Sequence, residues 1–408
     1  MDLSLPVGVE LYRETIRSFL REMLPPGWSG YGALSPDERA AFAPAWREIL
    51  LAHNLLAVSW PKEYGGGGLS LLEQSVMAAE FMAVGAPLMP LPSDSQGLIL
   101  IGPTILAVGT QEQKAYFLPR ILSGEHRWAQ GFSEPGAGSD LAGVRLAATR
   151  HDDRWLLNGQ KVWQTAGDSA NWIYVLAKTN DQAARHAGLS LILVPIDQAG
   201  VDVRPIQTMT GDFEFCEVFF ADAETPVRHV VGGVDNGWKT AMLLLGFERG
   251  ASAAATAVAS RIELDRLAVL ARERGLTDDL RFRQDFAWCY SKVEIMRFLA
   301  MRMLTSALSE GRPGAEASLF KIYGSEYHQR VTELAMRVLG MDGTVVTGKS
   351  GIASLGPDPA GGPNSSAAWG KVFLTARAAT IYGGSSQIQR NVIAERILGL
   401  PREPALHQ

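Results

Sequence analysis

The spacing of apolar residues changes twice along this chain, and this change limits the folds it can adopt. Up to about residue 125 the apolar residues recur at helical intervals, and from Gly237 onward they do so again. Between Trp128 and Val231 the period falls to two, and β-branched and aromatic residues dominate. A period of 3.6 indicates amphipathic helices, and a period of two indicates half-buried strands. The sequence therefore predicts a helical region, a β region and a second helical region, in that order.

Capping boxes mark helix starts in the first region. In such a box an N-cap Ser or Thr and a Glu or Gln three residues later each bind the other's backbone N–H. The motifs are Ser35-Pro36-Asp37-Glu38, Ser70-Leu71-Leu72-Glu73 and Thr110-Gln111-Glu112-Gln113. They predict one helix opening at Pro36, one running through Val84 and one running to about Leu122.

Strand follows strand in the middle region without a helix between them. Residues 173–177, 189–194 and 218–220 are strand-like, and residues 155–163 predict a hairpin that turns at Asn158-Gly159. Because parallel strands usually need helical crossovers, we expect an antiparallel barrel or sandwich.

Long helical patterns cover most of the last region, at residues 238–274, 280–308, 315–339 and 366–398. Long apolar helices of this kind suggest a four-helix bundle. The predicted fold class is therefore α+β and multi-domain. It has an N-terminal helical domain (1–125), a middle antiparallel β-barrel (126–235) and a C-terminal four-helix bundle (236–408).

Composition narrows the possible partners. Of the 408 residues, 47% are hydrophobic and 20% are charged, which excludes a disordered chain. Lys and Arg number 38 against 43 Asp and Glu, with no basic stripe, so nucleic acid is not an expected partner. We see no apolar stretch of membrane-spanning length and no signal peptide. The chain has only two cysteines, Cys216 and Cys289, which fits the reducing cytoplasm better than a disulfide-rich fold. We therefore expect a cytoplasmic protein. Because no spanning segment is seen, we also expect no membrane contacts.

One segment matches the residue pattern of a phosphate-binding motif, but the elements predicted on either side of it do not suit such a site. Residues 343–350 match the P-loop pattern, which needs a strand before it and a helix after it. Here the preceding apolar residues have helical spacing, and residues 351–363 are too rich in Gly and Pro for a helix. No Rossmann glycine motif follows a strand, and the seven histidines show no metal-binding spacing, so no metal site is predicted.

Glu248 is an unexpected acid on an apolar pattern. It and Arg249 are the only charged residues between Thr240 and Ser260. A carboxylate on an apolar helix face tends to have a raised pKa, which suits proton abstraction near neutral pH. Two interpretations stay open from the residues alone: a catalytic base, or a structural Glu–Arg pair within a core.

Several stretches together resemble the acyl-CoA dehydrogenase family of flavoproteins, and they follow that family's order. They are Trp60-Pro61-Lys62-Glu63-Tyr64-Gly65-Gly66, Gln130-Gly131-Phe132-Ser133-Glu134-Pro135-Gly136-Ala137-Gly138-Ser139-Asp140, Leu157-Asn158-Gly159-Gln160-Lys161-Val162-Trp163-Gln164-Thr165, Phe247-Glu248-Arg249 and Ile381-Tyr382-Gly383-Gly384-Ser385-Ser386-Gln387-Ile388-Gln389-Arg390. The resemblance implies FAD as cofactor, an acyl-CoA substrate and an electron-transfer flavoprotein as acceptor. It also implies a homotetramer or homodimer, with a hetero-oligomer of homologous subunits as the alternative.

The resemblance also implies which residues form the site. In the middle region the cofactor contacts would be Gln130, Phe132, Ser133, Gly138, Trp163 and Thr165. Later in the chain they would be Arg337, Gly340, Gly384, Ser385 and Gln387. Ser139 and Arg249 would contact the thioester substrate.

The catalytic base implied by the resemblance is Glu248. Many members carry the base where this chain has Gly383, which cannot remove a proton. In a branch that includes isovaleryl- and long-chain-type enzymes, the base is a Glu just before an Arg on a long helix, as in Glu248-Arg249. The implied reaction is FAD-dependent dehydrogenation of an acyl-CoA to the trans-2-enoyl-CoA. The alternatives are a non-catalytic or partner-dependent subunit and an oxidase that passes electrons to oxygen.

The chain departs from the family pattern at other cofactor contacts. Arg337-Val338-Leu339-Gly340-Met341 replaces a Gln-x-x-Gly-Gly element, and an Arg-x-x-Phe-Gly element that reaches a neighbouring subunit's FAD is not recognisable. Arg272, Arg274, Arg281 and Arg283 all remain candidates for that contact.

Overall fold

The chain divides into two compact units. The computed structural model describes residues 5–247, 252–310, 314, 316–352 and 355–402. What we call the helical unit comprises Met1–Arg39, Ser70–Leu88 and Arg249–Gln408, and the sheet unit comprises Ala40–Leu69 and Met89–Glu248. The finer division into three domains stays a prediction.

The helical, β, helical order predicted from the sequence is confirmed. The helices are α1 (Val7–Met23), α2 (Pro36–Ala52), α3 (Leu71–Ala83), α4 (Gly102–Val108), α5 (Gln111–Ser123), α6 (Gly237–Phe247), α7 (Ser252–Glu273), α8 (Leu280–Glu310), α9 (Glu316–Leu339), α10 (Ser366–Ala376) and α11 (Ser386–Val392). The strands are β1 (Trp128–Gly131), β2 (Ala147–His151), β3 (Arg154–Thr165), β4 (Trp172–Lys178), β5 (Leu189–Pro195), β6 (Val201–Ile206), β7 (Phe215–Pro226) and β8 (Val230–Val231).

The predicted helix starts are confirmed at α2, α3 and α5. At each, the N-cap hydroxyl accepts the N3 backbone N–H and the N3 side chain accepts the N-cap N–H. A π-helical segment, Ser95–Ile101, precedes α4 and was not predicted, because no capping box marks its start.

The described strands form one eight-stranded sheet. Its order is β6-β7-β3-β2-β4-β5-β8, with β1 paired to β4. The pairings β2–β3, β3–β7, β4–β5, β5–β8 and β6–β7 are antiparallel. The pairings β1–β4 and β2–β4 are parallel, so the predicted antiparallel arrangement describes most of the sheet but not these two pairings. The β2–β3 hairpin lies between β1 and β4 in the chain, and this length allows β4 to return parallel to β1.

The prediction of a hairpin turn at Asn158-Gly159 was wrong, because β3 runs through these residues as one strand. Its register with β7 shifts between Leu157 and Gly159, which is a β-bulge. Gly159 has φ +142°, and the Asn158 amide donates to the Asp222 carboxylate at 2.8 Å. The actual hairpin turns at residues 152–153, between β2 and β3.

The predicted bundle is confirmed in the helical unit, where α7, α8, α9 and α10 share one core. Its buried side chains are Leu264, Leu267, Leu270, Ala271, Phe282, Cys289, Val293, Met296, Tyr327, Val331, Leu334, Ala335, Val338, Leu339 and Trp369. The single helix predicted for 366–398 was wrong. Gly383 at φ +61° and Gly384 at φ +85° adopt left-handed backbone, and α11 begins only after them.

The predicted helix 238–274 is represented by α6 and α7, with residues 248–251 outside the described part of the chain. Residues 343–350 follow α9 rather than a strand, and among the described residues the next helix, α10, begins only at Ser366, unlike the strand and helix that flank a P-loop. Across the described ranges, no helix is both long enough and apolar enough to span a bilayer.

Candidate active site

Several predicted cofactor residues of the sheet unit meet where β1 ends beside β3. Gln130 is half-buried and paired with Tyr174 of β4. The Phe132 side chain is 6% exposed, and its ring meets the Tyr174 ring edge-on at 5.9 Å between centroids. The Ser133 carbonyl accepts the backbone N–H of Val162 at 3.0 Å, which joins this segment to β3.

Trp163 is the most unusual residue of this group. Its side chain is 59% exposed, and its backbone has φ +68°. The register of β3 with β7 shifts between Val162 and Gln164, so Trp163 sits in a bulge. Left-handed backbone is unfavourable for a bulky residue, and such strain persists where the surrounding structure enforces it, often at functional sites. The bulge presents a large aromatic face next to the half-buried Thr165.

The loop that carries Gly138 and Ser139 is open. It follows a tight turn in which the backbone N–H groups of Glu134 and Ala137 each donate to the other's carbonyl at 3.0 Å. No heavy atom of the described residues lies within 4 Å of the position that a Cβ would take on Gly138. Ser139 is exposed, and Asp140 forms an ion pair with Arg185. There is room for a ligand beside the backbone of this loop.

Lys161 and Glu134, for which the sequence suggested no individual role, support the same segment. The Lys161 ammonium is fully buried and bonds the Glu134 carboxylate at 2.8 Å. Burial lowers the pKa of Lys161 to about 8, against the opposing effect of the Glu134 charge. No local pattern marks Lys161 as buried, because the β-bulge between Leu157 and Gly159 breaks the alternation of faces along β3.

In the helical unit, Gly384, Ser385 and Gln387 lie at the start of α11. The Ser385 hydroxyl caps the helix by accepting the Ile388 N–H at 3.3 Å, and Gln387 is exposed. The buried Gln389 amide donates to the Gly383 carbonyl at 3.2 Å, which holds the glycine turn. The structure thus places these predicted residues together.

Arg337 and Gly340 lie at the end of α9, apart in sequence from that turn. The Arg337 guanidinium pairs with Asp285 at 2.8 Å, and Arg330 pairs with the same carboxylate at 2.7 Å. Burial alone would raise the pKa of Asp285, but hydrogen bonds from both arginines lower it. Gly340 is exposed with φ +58°, as a helix C-terminus favours.

The predicted base Glu248 and its neighbour Arg249 lie outside the described residues. Their part in the site therefore stays a prediction from the sequence.

The residues of the sheet unit suit a large planar cofactor. A held, exposed indole ring offers a stacking face, since aromatic rings prefer offset or edge-on contact with other rings. The neighbouring Ser133 and Thr165 hydroxyls can donate or accept hydrogen bonds, and the open backbone at Gly138 allows close approach. An isoalloxazine ring has the size and polar edge that these groups would match.

Comparisons with known proteins identify similar chains over almost the whole length of this one. Family models described as the acyl-CoA dehydrogenase N-terminal, middle and C-terminal domains match residues 9–125, 129–223 and 235–398. The acyl-CoA dehydrogenase IpdE1 of Mycobacterium tuberculosis is 40% identical over 97% of this chain and 98% of its own length. A solved structure titled Tcur3481-Tcur3483 steroid ACAD has a TM-score of 0.79 and 31% identity over 99% of this chain and 100% of its own. The ChsE4-ChsE5 complex from Mycobacterium tuberculosis has a TM-score of 0.78 and 29% identity over 99% of this chain and 100% of the matched chain.

Proposed function

Because the chain belongs to the acyl-CoA dehydrogenase family, whose members are oxidoreductases, we propose that it dehydrogenates an acyl-CoA thioester to the trans-2-enoyl-CoA with FAD as cofactor. The observation that carries the proposal is Trp163, an exposed aromatic ring held in a strained bulge beside Ser133 and Thr165. Strand pairing with β7 holds this bulge, and a stacked ring cofactor would use the indole face that the bulge leaves exposed.

The residues that would hold FAD are those that the family resemblance implies. In the sheet unit they are Gln130, Phe132, Ser133, Gly138, Trp163 and Thr165, and in the helical unit Arg337, Gly340, Gly384, Ser385 and Gln387. When bound, FAD supplies the acceptor for the hydrogen and electron pair that leave the β-carbon.

Glu248 would take the proton from the α-carbon of the thioester. A carboxylate is too weak a base for this step unless the developing enolate oxygen is stabilised. The backbone N–H of Glu248 is the donor that this chain would offer to that oxygen. Ser139 and Arg249 would bind and orient the thioester, and Arg249 would keep its charge because guanidinium does not give up its proton.

For the substrate we propose a bulky, ring-bearing acyl-CoA such as a steroid-derived thioester. Support comes from the similar structure titled as a steroid ACAD and from the run of small side chains at residues 251–257 of the sequence. The electron acceptor would be an electron-transfer flavoprotein.

The test compares the wild-type holoenzyme with Glu248→Gln under anaerobic conditions. Straight-chain, branched and steroid-derived acyl-CoAs are offered in turn, and bleaching of the flavin absorbance is followed by stopped flow. We expect steroid-derived thioesters to bleach the wild-type flavin fastest. Glu248→Gln should slow bleaching by about 100-fold or more, the range for removal of a general base.

The matched control is Glu273→Gln, an exposed glutamate on α7 that should bleach at the wild-type rate. FAD content is measured for each protein, so a loss of cofactor is not mistaken for a loss of the base. Wild-type bleaching rates in Glu248→Gln would remove this residue from the mechanism. Peroxide formed in air at the turnover rate would show an oxidase instead.

A second candidate function is that of a partner-dependent subunit. The observation that favours it is that two similar solved structures carry a pair of names in their titles, Tcur3481-Tcur3483 and the ChsE4-ChsE5 complex. On this account the chain alone would bind little FAD and would turn over only with a homologous partner.

A further inference from the structure

Lys161 occupies a position where a charge is costly. Its side chain is fully buried within the sheet unit, in strand β3, two residues before Trp163. An isolated ammonium in such a place would be strongly disfavoured. Its Nζ donates to the Glu134 carboxylate at 2.8 Å, the Phe132 carbonyl at 3.0 Å and the Leu176 carbonyl at 2.7 Å. An ammonium has three protons, so these acceptors satisfy it completely.

The acceptors of Lys161 belong to different parts of the unit. Leu176 lies in the centre of β4, whereas Phe132 lies just past the end of β1. Glu134 begins the open loop, and its carboxylate also accepts the backbone N–H groups of Arg145 at 2.7 Å and Leu146 at 2.9 Å. Lys161 and Glu134 therefore hold both ends of the loop from 132 to 146 against the rigid strands.

A buried ion pair of this kind would contribute little to the stability of the fold by itself. A buried ion pair often contributes little net stability, because the desolvation of two charges offsets their attraction. An apolar pair of similar volume would fill the same space. Buried polar groups can instead select one conformation, since only one backbone geometry satisfies every acceptor.

We propose that Lys161 is a positioning residue that fixes Phe132 and Ser133, through Glu134 and the Phe132 carbonyl, in the geometry that receives the flavin ring. This inference rests on the proposed function. The hydrogen bond from Val162 to the Ser133 carbonyl places the same segment at a set distance from Trp163. Lys161 thus holds Phe132 and Ser133 at a fixed distance from Trp163 without touching the cofactor itself.

The experiment separates positioning from stability by changing one charge and then both. Lys161→Met leaves Glu134 buried without its cation, and the double variant Lys161→Met/Glu134→Leu removes both charges. Each apoprotein is examined for its melting temperature and for its FAD dissociation constant, titrated by the quenching of flavin fluorescence. Ile192→Ala, which truncates an apolar side chain of the same core without changing a charge, is the matched control.

We expect Lys161→Met to melt at a lower temperature and to bind FAD at least about tenfold more weakly, as the loss of a charge-assisted hydrogen bond implies. The double variant should recover most of the melting temperature but keep the weak FAD binding. Ile192→Ala should lose stability with little change in FAD affinity. In the apoprotein, the backbone amides of residues 132–146 should exchange hydrogen faster in Lys161→Met and in the double variant than in the wild type. Ile192→Ala should leave their exchange unchanged.

Recovery of both stability and FAD affinity in the double variant would overturn the proposal, as would an equal loss of FAD affinity in Ile192→Ala. If Lys161→Met alone does not fold, the double variant still decides the question. The proposed reaction would be wrong, independently of the role of Lys161, if the wild-type protein bound FAD tightly but no acyl-CoA bleached the flavin absorbance. A wild-type chain that binds no FAD at all would overturn both.

Discussion

At the scale of single residues, Trp163 shows how strand register can override local backbone preference. Non-glycine residues in left-handed backbone cost of order 1–3 kcal/mol, and a large exposed indole gains little packing in return. Its ring is in edge-on contact with Phe215, at 6.0 Å between centroids. The register shift between β3 and β7 fixes this backbone conformation. The strain is therefore maintained by strand pairing and not by the packing of the Trp163 side chain.

We expect Trp163→Ala to weaken FAD binding by about tenfold or more, because stacking area is lost, while Trp163→Phe keeps part of the affinity. The apoprotein melting temperature should change little in either variant, since most of the indole is already in water. Fluorescence titration with FAD and thermal melts measure the two quantities.

Tyr116→Ala is the matched control for this pair, because Tyr116 is another aromatic of the sheet unit whose ring is partly exposed. Its FAD affinity should equal that of the wild type. If Trp163→Ala binds FAD as tightly as the wild type does, Trp163 is not a stacking residue.

At the scale of elements, α5 packs on the sheet through aromatic and imidazole rings. Phe117 of α5 lies 5.8 Å from the His126 ring and 5.3 Å from the His229 ring. Burial lowers the pKa of each histidine to about 4, and Arg120 near His126 and Arg228 near His229 act in the same direction. Both rings are therefore neutral in the folded protein near pH 7.

These histidines predict acid sensitivity with a defined sign. In the unfolded chain they take up protons near pH 6.5, but in the folded chain only near pH 4. Their contribution to stability is therefore complete above about pH 6.5 and is lost as the pH falls towards about 4. We expect the melting temperature to fall over this window, and His126→Phe to flatten the fall, as measured by circular dichroism.

His53→Gln serves as the control, because His53 is an exposed histidine of the same unit, so its pH profile should follow the wild type. An unchanged profile in His126→Phe would assign the acid sensitivity to other groups.

At the scale of the whole molecule, apolar side chains remain exposed along α8. They are Trp288, Tyr290, Ile295, Phe298, Met301 and Leu308. Exposed apolar surface is typical of association sites, and one similar solved structure is titled as a complex. We expect this chain to assemble with further copies of itself or with a homologous subunit.

Light scattering on the purified chain should report a mass of two or four chains. Flavin per chain, measured on the same sample, distinguishes the homo-oligomer from the partner-dependent subunit. A colourless monomer that gains flavin and turnover only after co-expression with a homologous chain would favour the second candidate function. A flavin-loaded, active monomer would contradict the expectation of assembly.

Local signals in the sequence determined the helix starts, the β region and the bundle. The capping boxes at Ser35, Ser70 and Thr110 depend on residues three apart, so their chemistry is complete within one turn of chain. Apolar periodicity likewise records which face of each helix is buried. The family resemblance, carried by short motifs in order, was equally available from the chain alone.

What the tertiary structure decided depends on partners far away in the sequence. Asn158-Gly159 has the local preference of a hairpin turn, yet pairing with β7 keeps β3 continuous and turns the dipeptide into a bulge. The burial of Lys161 follows from carbonyls on β4 and after β1, which no local pattern reveals. The strain at Trp163 comes from the register between two strands that lie 50 or more residues apart. Local chemistry specifies which element forms, but only the packed molecule determines which groups meet and which conformations are held.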